Sequence, residues 1–202
     1  MLQLQNLRIA LSANLGQVLT PEVAAEIEMA ARYVEDKSHD PAKFGQKEYK
    51  GMVFQVERLC DIIPEIHPLH EAHFEETEKH RLGFGLHMDY DLLCGYERNG
   101  TLVQFTCRDV ETGRLVGNIR MFVQTSIHTG TLYASEDTYY VLPEFRKGFA
   151  ALRFWQFMED ALKAIGVREI RTDSKVVNKV HKLNEYCGYK HVANKYVKVF
   201  TE

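Results

Sequence analysis

The 202-residue chain has one tryptophan and five prolines, and its four cysteines, Cys60, Cys94, Cys107 and Cys187, stand far apart with no CxxC pair. That spacing suggests neither a zinc site nor a disulfide framework, so reduced thiols in a cytoplasmic protein are expected. No run approaches the roughly 20 apolar residues that a membrane-spanning helix needs. Met1 to Leu11 is too polar for a signal peptide and lacks its cationic start and long apolar run. An excess of one charge is missing too: the net charge is -3, which argues against general nucleic-acid binding. There is no internal repeat and no low-complexity tract. What the chain does have is 45% hydrophobic residues, ordinary for a domain that buries a real core. Its length fits one domain, or one domain with an appended segment.

Thr20-Pro21-Glu22 reads as a helix start: a capping hydroxyl, proline at the first helical position, then an acid. Val23, Ala24, Ile27, Ala30, Ala31 and Val34 supply its apolar stripe, and the helix is expected to end near Asp36. Lys37 to Lys50 is polar, holds Asp40-Pro41 and Gly45, and is read as a loop. Residues 1–50 therefore form an N-terminal extension, and residues 51–202 the main domain. Met52 to Cys60 is ambiguous between strand and helix, and Glu65 to Arg81 is read as helical. Asn99-Gly100 signals a hairpin. Strands are expected over Leu102–Arg108, Leu115–Gln124 and Leu132–Leu142, with Glu111 to Arg114 as a turn. A long helix follows, about Glu144 to Ile165, capped by Gly166. Val167–Thr172 is then a strand, Val176–Tyr186 a helix, and Gly188–Phe200 one or two final strands. This order predicts an α/β protein with a mixed sheet flanked by helices.

The most informative segment is the connection into the long helix. Pro143 closes the apolar strand, because it fixes φ and removes a ladder donor. Arg146-Lys147-Gly148 forms a basic turn, and Phe149, Leu152, Phe154, Trp155 and Met158 open a helix-spaced apolar series. Free backbone amides, the helix dipole and two cationic side chains at such a turn favour a phosphate or diphosphate. The plain alternative is a packed strand–helix connection whose charges face water.

Several segments in this order resemble the GNAT acetyltransferase superfamily, with wording closest to GNAT-like proteins encoded by phages and prophages. They are Leu115-Val116-Gly117-Asn118, His128, Ala134 to Thr138, Pro143 to Gly148, Ile165-Gly166-Val167 and Glu185 to Lys190. The resemblance covers roughly residues 90–200. It implies a GNAT-like, mostly antiparallel sheet with a helical N-terminal extension, and acetyl-CoA as co-substrate. The cofactor's diphosphate would lie on the amides of Lys147 to Leu152, including those of Gly148, Phe149, Ala150 and Ala151, with Arg146 at the family's Arg/Gln position. Its pantetheine arm would pair with Tyr139, Tyr140, Val141 and Leu142. In the Arg146 register Ala151 fits the last small residue of the motif, but Phe149 stands where glycine is expected. Asn178 resembles the asparagine beside the pantetheine arm, and Lys175 is placed to neutralise a coenzyme phosphate or simply to be solvated.

Acetyl transfer to an amine needs a base for the ammonium and an acid for the leaving thiolate. Glu136 is the favoured base and Asp137 the second candidate. On a regular strand the two point to opposite faces, with Glu136 sharing a face with Thr138 and Tyr140. His128, in a polar stretch between two strands, is a third candidate by virtue of its near-neutral pKa, with an ordinary surface histidine as the plain reading. The tyrosine that many family members place four residues before the last motif's glycine is replaced by Asn184. Tyr186 lies close by, as a displaced acid or a core residue. His67, His70, His73 and His80 raise a metal reading, but HExxH is missing and no metal site is expected. They and Glu75, Glu76 and Glu78 are read instead as lining an amine acceptor's cleft or facing water.

The function expected from the resemblance is an acetyl-CoA-dependent N-acetyltransferase that acts by direct attack in a ternary complex. The acceptor, a small molecule or a protein, is left open, as is oligomeric state, a homodimer included. The location expected is the cytoplasm, the host's if the chain is phage-encoded. A catalytically inactive CoA-binding or phage-associated interaction module is the alternative, and a metal hydrolase a third.

Overall fold

The computed structural model describes residues 4–32, 35–78, 83–175 and 180–199. The chain divides into two compact units, Met1–Lys37 and Ser38–Glu202. In the first, α1 spans Leu4–Ala13 and α2 spans Pro21–Arg32. The Thr20 hydroxyl accepts from the Val23 amide at 3.3 Å, as the sequence signal requires. Helix α1 has no comparable signal and is not foreseen.

The second unit opens earlier than residue 51. Asp40 caps a 3-10 turn over Pro41–Phe44, and β1 (Gln46–Tyr49) pairs antiparallel with β2 (Met52–Val56). The hairpin turn is Lys50-Gly51, both with positive φ, at 48° and 77°. That is the type of two-residue turn whose twist matches the flanking strands. The loop expected over Lys37–Lys50 is thus partly strand. Its residues Gln-Lys-Glu-Tyr are polar because β1 is a solvated edge.

Helix α3 (Leu59–Thr77) and α4 (Tyr90–Arg98) follow. Arg58 gives α3 no side-chain cap, and Glu97 of α4 does this instead, accepting from the Leu59 amide at 2.6 Å and the Cys60 amide at 3.2 Å. Burial raises the Glu97 pKa against these two hydrogen bonds. Beside this cap Cys60 and Cys94 form a disulfide, with Cα atoms 5.6 Å apart. This corrects the expectation of four reduced thiols: packing of α3 on α4 brings together residues 34 positions apart in sequence. Asn99-Gly100 is not a hairpin either. It terminates α4, with Gly100 at φ 72° in the usual left-handed exit.

Strands β3 (Leu102–Asp109), β4 (Leu115–Thr125) and β5 (Leu132–Val141) extend the antiparallel ladder. A 3-10 turn over Pro143–Phe145 leads to α5 (Ala150–Ala164), which starts later than Glu144 because the turn is not yet helical. Strand β6 (Glu169–Arg171) pairs parallel to β5, giving a six-stranded sheet in the order β1-β2-β3-β4-β5-β6. Helix α6 spans Val180–Tyr186. Residues 188–199 are exposed apart from Tyr189 and form no strand, contrary to expectation. Val192 and Tyr196 lie nearly bare, so the alternation that suggested strands is not used to bury anything.

Alternation along the strands makes two unlike faces. One packs Phe54, Phe105, Ile119 and Met121 against Phe154, Trp155 and Met158 of α5. Phe54 stacks on Phe154 with ring centres 5.0 Å apart. The other packs Leu102, Leu115 and Tyr140 under Leu59, Ile62, Ile66 and Leu69 of α3. Each fully buried apolar side chain contributes roughly 1.5–3 kcal/mol.

Candidate active site

Strand β5 positions the site. It pairs with β6 only through Tyr133, Ala134 and Ser135. From Glu136 on, the two strands part. Leu142 N donates to Val116 O at 2.8 Å, which fixes the ladder phase. By the two-residue alternation of an antiparallel pair, the backbone groups of Val141 and Tyr139 then point away from β4, into the opening.

A β-bulge lies within this stretch. Arg120 pairs with Thr138 and Met121 with Glu136, leaving Asp137 as the extra residue. The bulge reverses the expected facing of the two acids. Glu136 shares the face of its cross-strand partner Met121, the α5 side, and not that of Thr138 and Tyr140. Burial pushes its carboxyl up to about 7, against a hydrogen bond from the Thr172 hydroxyl. Asp137 turns to the α3 side, where it accepts from Arg120 Nε at 2.7 Å. Arg120 Nη2 lies 2.6 Å from the same oxygen and 3.1 Å from the Thr138 hydroxyl.

The turn before α5 is tight. Gly148 has φ +58°, and a Cβ there would meet Lys50 Nζ and Tyr49 Oη, each at 3.1 Å. Phe149 is 61% exposed, so its ring does not plug the turn, and its amide donates to Tyr49 Oη at 3.2 Å. Phe149 caps α5 with no side-chain hydrogen bond. Helix geometry leaves the Ala151 and Leu152 amides without intrahelical partners. The Ala150 amide donates to Lys147 O at 3.1 Å. Arg146 does not reach over this cradle. Its Nε donates to Val141 O at 2.7 Å, its two terminal nitrogens grip Glu76 at 2.9 and 2.7 Å, and it lies over the Tyr140 ring. Lys147 is exposed.

The α3 face carries a polar layer that pattern reading missed. Gln104, Arg120 and Thr138 form one cross-strand row, and Thr106, Asn118 and Tyr140 the next. All six are buried. Above them the Tyr90 hydroxyl lies 2.9 Å from His70 Nδ1 and 3.0 Å from His67 Nδ1, donating to one and accepting from the other. Burial, reinforced by nearby Arg120, lowers the His70 pKa to about 3. Burial likewise lowers His73 to about 4, with Lys175 adding to the effect. Both rings are therefore neutral at physiological pH. His73 packs on Tyr140 with ring centres 5.3 Å apart.

The structure thus gathers Glu136, Asp137, Tyr139, Tyr140, Val141, Leu142 and the Arg146–Ala151 turn along one strand and its exit. It does not gather the rest. His128 sits exposed in the β4–β5 loop, at the opposite end of β5 from the turn. Tyr186 is 74% exposed at the end of α6 and is not a core residue. Lys175 ion-pairs with Glu78. Asn178 and His80 lie outside the described residues. Glu76 and Glu78 are already paired with Arg146 and Lys175, so neither is a free attractor of amines. Among the described residues no three His, Cys, Asp or Glu side chains converge as a metal-ligand set. No helix among them is long and apolar enough to cross a membrane.

No family model matches the sequence, and no curated protein is similar to it at the level of sequence. Solved structures are similar to it in fold. An aminoglycoside acetyltransferase from an uncultured soil metagenomic sample, in complex with sisomicin, superposes with a TM-score of 0.55 at 15% identity, over 75% of this chain and 95% of that one. A ribosomal-protein-alanine N-acetyltransferase from Brucella melitensis biovar Abortus 2308 gives 0.56 at 18% identity, over 73% and 99%. A Trypanosoma brucei acetyltransferase gives 0.57 at 16% identity, over 74% and 99%. At these identities the likeness establishes the fold: a GNAT-type mixed sheet flanked by helices, with additional N-terminal helices.

Proposed function

We propose that the protein is an acetyl-CoA-dependent N-acetyltransferase. The observation that carries this reading is the opening between β5 and β6, whose edge backbone groups at Tyr139 and Val141 run into the uncapped start of α5. An extended pantetheine arm matches that edge. A diphosphate matches the amides and the positive helix end beyond it. Lys147 and Lys50 are the cations beside it, because Arg146 is engaged with Glu76.

The amine reaches the thioester from the α3 side, where the Asp137 carboxylate meets the incoming ammonium. Glu136, on the α5 side of the same strand and with a pKa near 7, is suited to take the proton at neutral pH through water in the opening between β5 and β6 rather than by direct contact with the ammonium. The neutral nitrogen attacks the thioester carbonyl carbon, the carbon–sulfur bond breaks, the proton held by Glu136 goes to the departing thiolate, and the surplus proton on the acylated nitrogen is lost to water. Holding both substrates in one cleft supplies most of the acceleration.

The test is calorimetric CoA binding together with thiol release over a panel of amines. Glu136→Gln should lower turnover by about 100-fold, the scale of general-base catalysis, while leaving the CoA dissociation constant within about twofold. Asp137→Asn should raise KM for the amine more than it lowers kcat. Full activity of Glu136→Gln, or an equal loss of CoA affinity, would contradict the assignment. A second reading, a CoA-binding or phage-associated interaction module without turnover, is favoured by the engagement of Val141 O by Arg146 and of the Phe149 amide by Tyr49. Tight CoA binding with no thiol release from any amine would select it.

A further inference from the structure

The polar layer beneath α3 bears on which amine is accepted, an inference that rests on the acyl-transfer reading. Asn118 and Gln104 are fully buried, Arg120 is 4% exposed and His70 3%. Yet Asn118 Nδ2 and Oδ1, Gln104 Oε1, Arg120 Nη1 and His70 Nε2 have no hydrogen-bond partner among the described residues. An unsatisfied buried polar atom costs about 1–3 kcal/mol, so a cluster of five on one sheet face is expensive unless something else meets it.

The atoms define what that partner is. Arg120 commits its Nε and Nη2 edge to Asp137 and Thr138, so Nη1 faces the other way, a pure donor. Gln104 spends its amide nitrogen on Phe105 O and Ile119 O, so Oε1 is a pure acceptor. Asn118 offers one donor and one acceptor, and neutral His70 Nε2 is either, according to its tautomer. A carboxylate satisfies only the donors and is repelled by the two amide oxygens. An alkyl chain satisfies none. A hydroxyl both donates and accepts, and so serves the whole set. Charge agrees: Arg120 is already balanced by Asp137, which leaves no net positive charge to demand an anion. Asp137 is also the way in, since its side chain is 39% exposed while its carboxylate holds the innermost cation.

We propose that this layer binds the hydroxyl groups of a small amino alcohol or amino sugar, whose amine then lies at Asp137 beside the thioester. Burial of the layer excludes a polypeptide acceptor from it.

Matched amines test this on the full chain saturated with CoA, by calorimetry. Serinol is compared with isopropylamine, which lacks its hydroxyls, and with serine, which carries a carboxylate; glucosamine is compared with cyclohexylamine. Serinol or glucosamine should bind at least about 10-fold more tightly than its hydroxyl-free counterpart, and serinol more tightly than serine. Asn118→Leu should reduce the discrimination between serinol and isopropylamine by about 10-fold. Arg120→Lys, which keeps the charge but loses the second edge of the guanidinium, should reduce it as well. Equal binding within each pair, preference for serine, or no binding of any of these amines overturns the inference. Thiol release separates it from the reading beneath it: amines bound with this selectivity but never acetylated leave the hydroxyl site standing and remove the transferase.

Discussion

The two faces of the sheet are made from the same strands yet built on opposite terms. The face under α5 is a stacked aromatic and aliphatic layer in which Phe54, Phe105, Phe154 and Trp155 are essentially inaccessible. The face under α3 alternates with it residue by residue, but places Gln104, Thr106, Asn118, Arg120 and Thr138 where a second apolar layer would be expected. One face follows the rule that buried positions are apolar. The other departs from it in one continuous patch that ends at the bulged Asp137. Departures from packing rules concentrate at functional sites, because binding groups must be present before their ligand arrives. On the proposed function, the difference separates the half of the molecule that holds the fold from the half that would face a substrate.

The sharpest way to break this comparison is to damage the apolar half. Trp155→Ala should cost about 3–5 kcal/mol, the usual range for a buried aromatic. For a domain of this size that is a fall in Tm of roughly 10 °C or more. A loss below about 1 kcal/mol by urea unfolding would show that the α5 face is not the principal core.

The polar half is held differently. Its covering helices are tied by the Glu97 cap and the Cys60–Cys94 disulfide. Closing a loop of 34 residues restricts the unfolded chain by about 3–4 kcal/mol on the chain-entropy estimate. Reduction, or Cys94→Ser, should lower stability by up to that amount and disturb amine binding more than CoA binding, because α3 and α4 cover the sheet face that carries the polar layer. An unchanged Tm in reductant would mean that packing alone fixes these helices.

The sequence shows the apolar half well and the polar half poorly, for a physical reason. Phe149, Leu152, Phe154, Trp155 and Met158 announce a helix by spacing, and Leu102 to Leu142 announces three strands, because burial of apolar residues leaves a period. A buried polar layer leaves none. Gln104, Asn118 and Arg120 look like solvent positions, and only the pairing of three strands shows that they are covered. Bulges are equally silent: one extra residue at Asp137 exchanges the faces of both acids. Long-range pairs such as Arg146–Glu76 and Cys60–Cys94 carry no local signal. The Asn99-Gly100 signal was a true chain reversal, yet it belongs to a helix exit, because Tyr90–Arg98 packs on α3 rather than extending the sheet.

Glu136 is a carboxylic acid set on the otherwise apolar side. Its carboxyl is raised from 4.5 to about 7, chiefly by burial, so the folded chain holds this proton more tightly than the unfolded one. Its contribution to stability is complete below pH 4.5 and is lost as pH rises through about 7. Glu136→Gln has nothing to titrate. The stability difference, variant minus wild type, should therefore grow between pH 5 and pH 8 in the variant's favour, as followed by thermal melts. A flat difference would place the Glu136 pKa in the ordinary carboxylate range and weaken its assignment as the proton-accepting group.

The smallest effect separates the faces most cleanly. Asn118→Leu places an apolar side chain of similar size where both polar atoms lack a partner among the described residues. Removing unsatisfied groups is neutral or stabilising, so the expected change is within about 1 kcal/mol, against the several kcal/mol at Trp155. Amine selectivity should nonetheless change. That dissociation, stability kept while recognition is lost, is what a binding layer predicts and a structural core does not. If Asn118→Leu instead destabilised the fold by as much as Trp155→Ala, the polar layer would be satisfied from within, and the two faces would differ in composition but not in purpose.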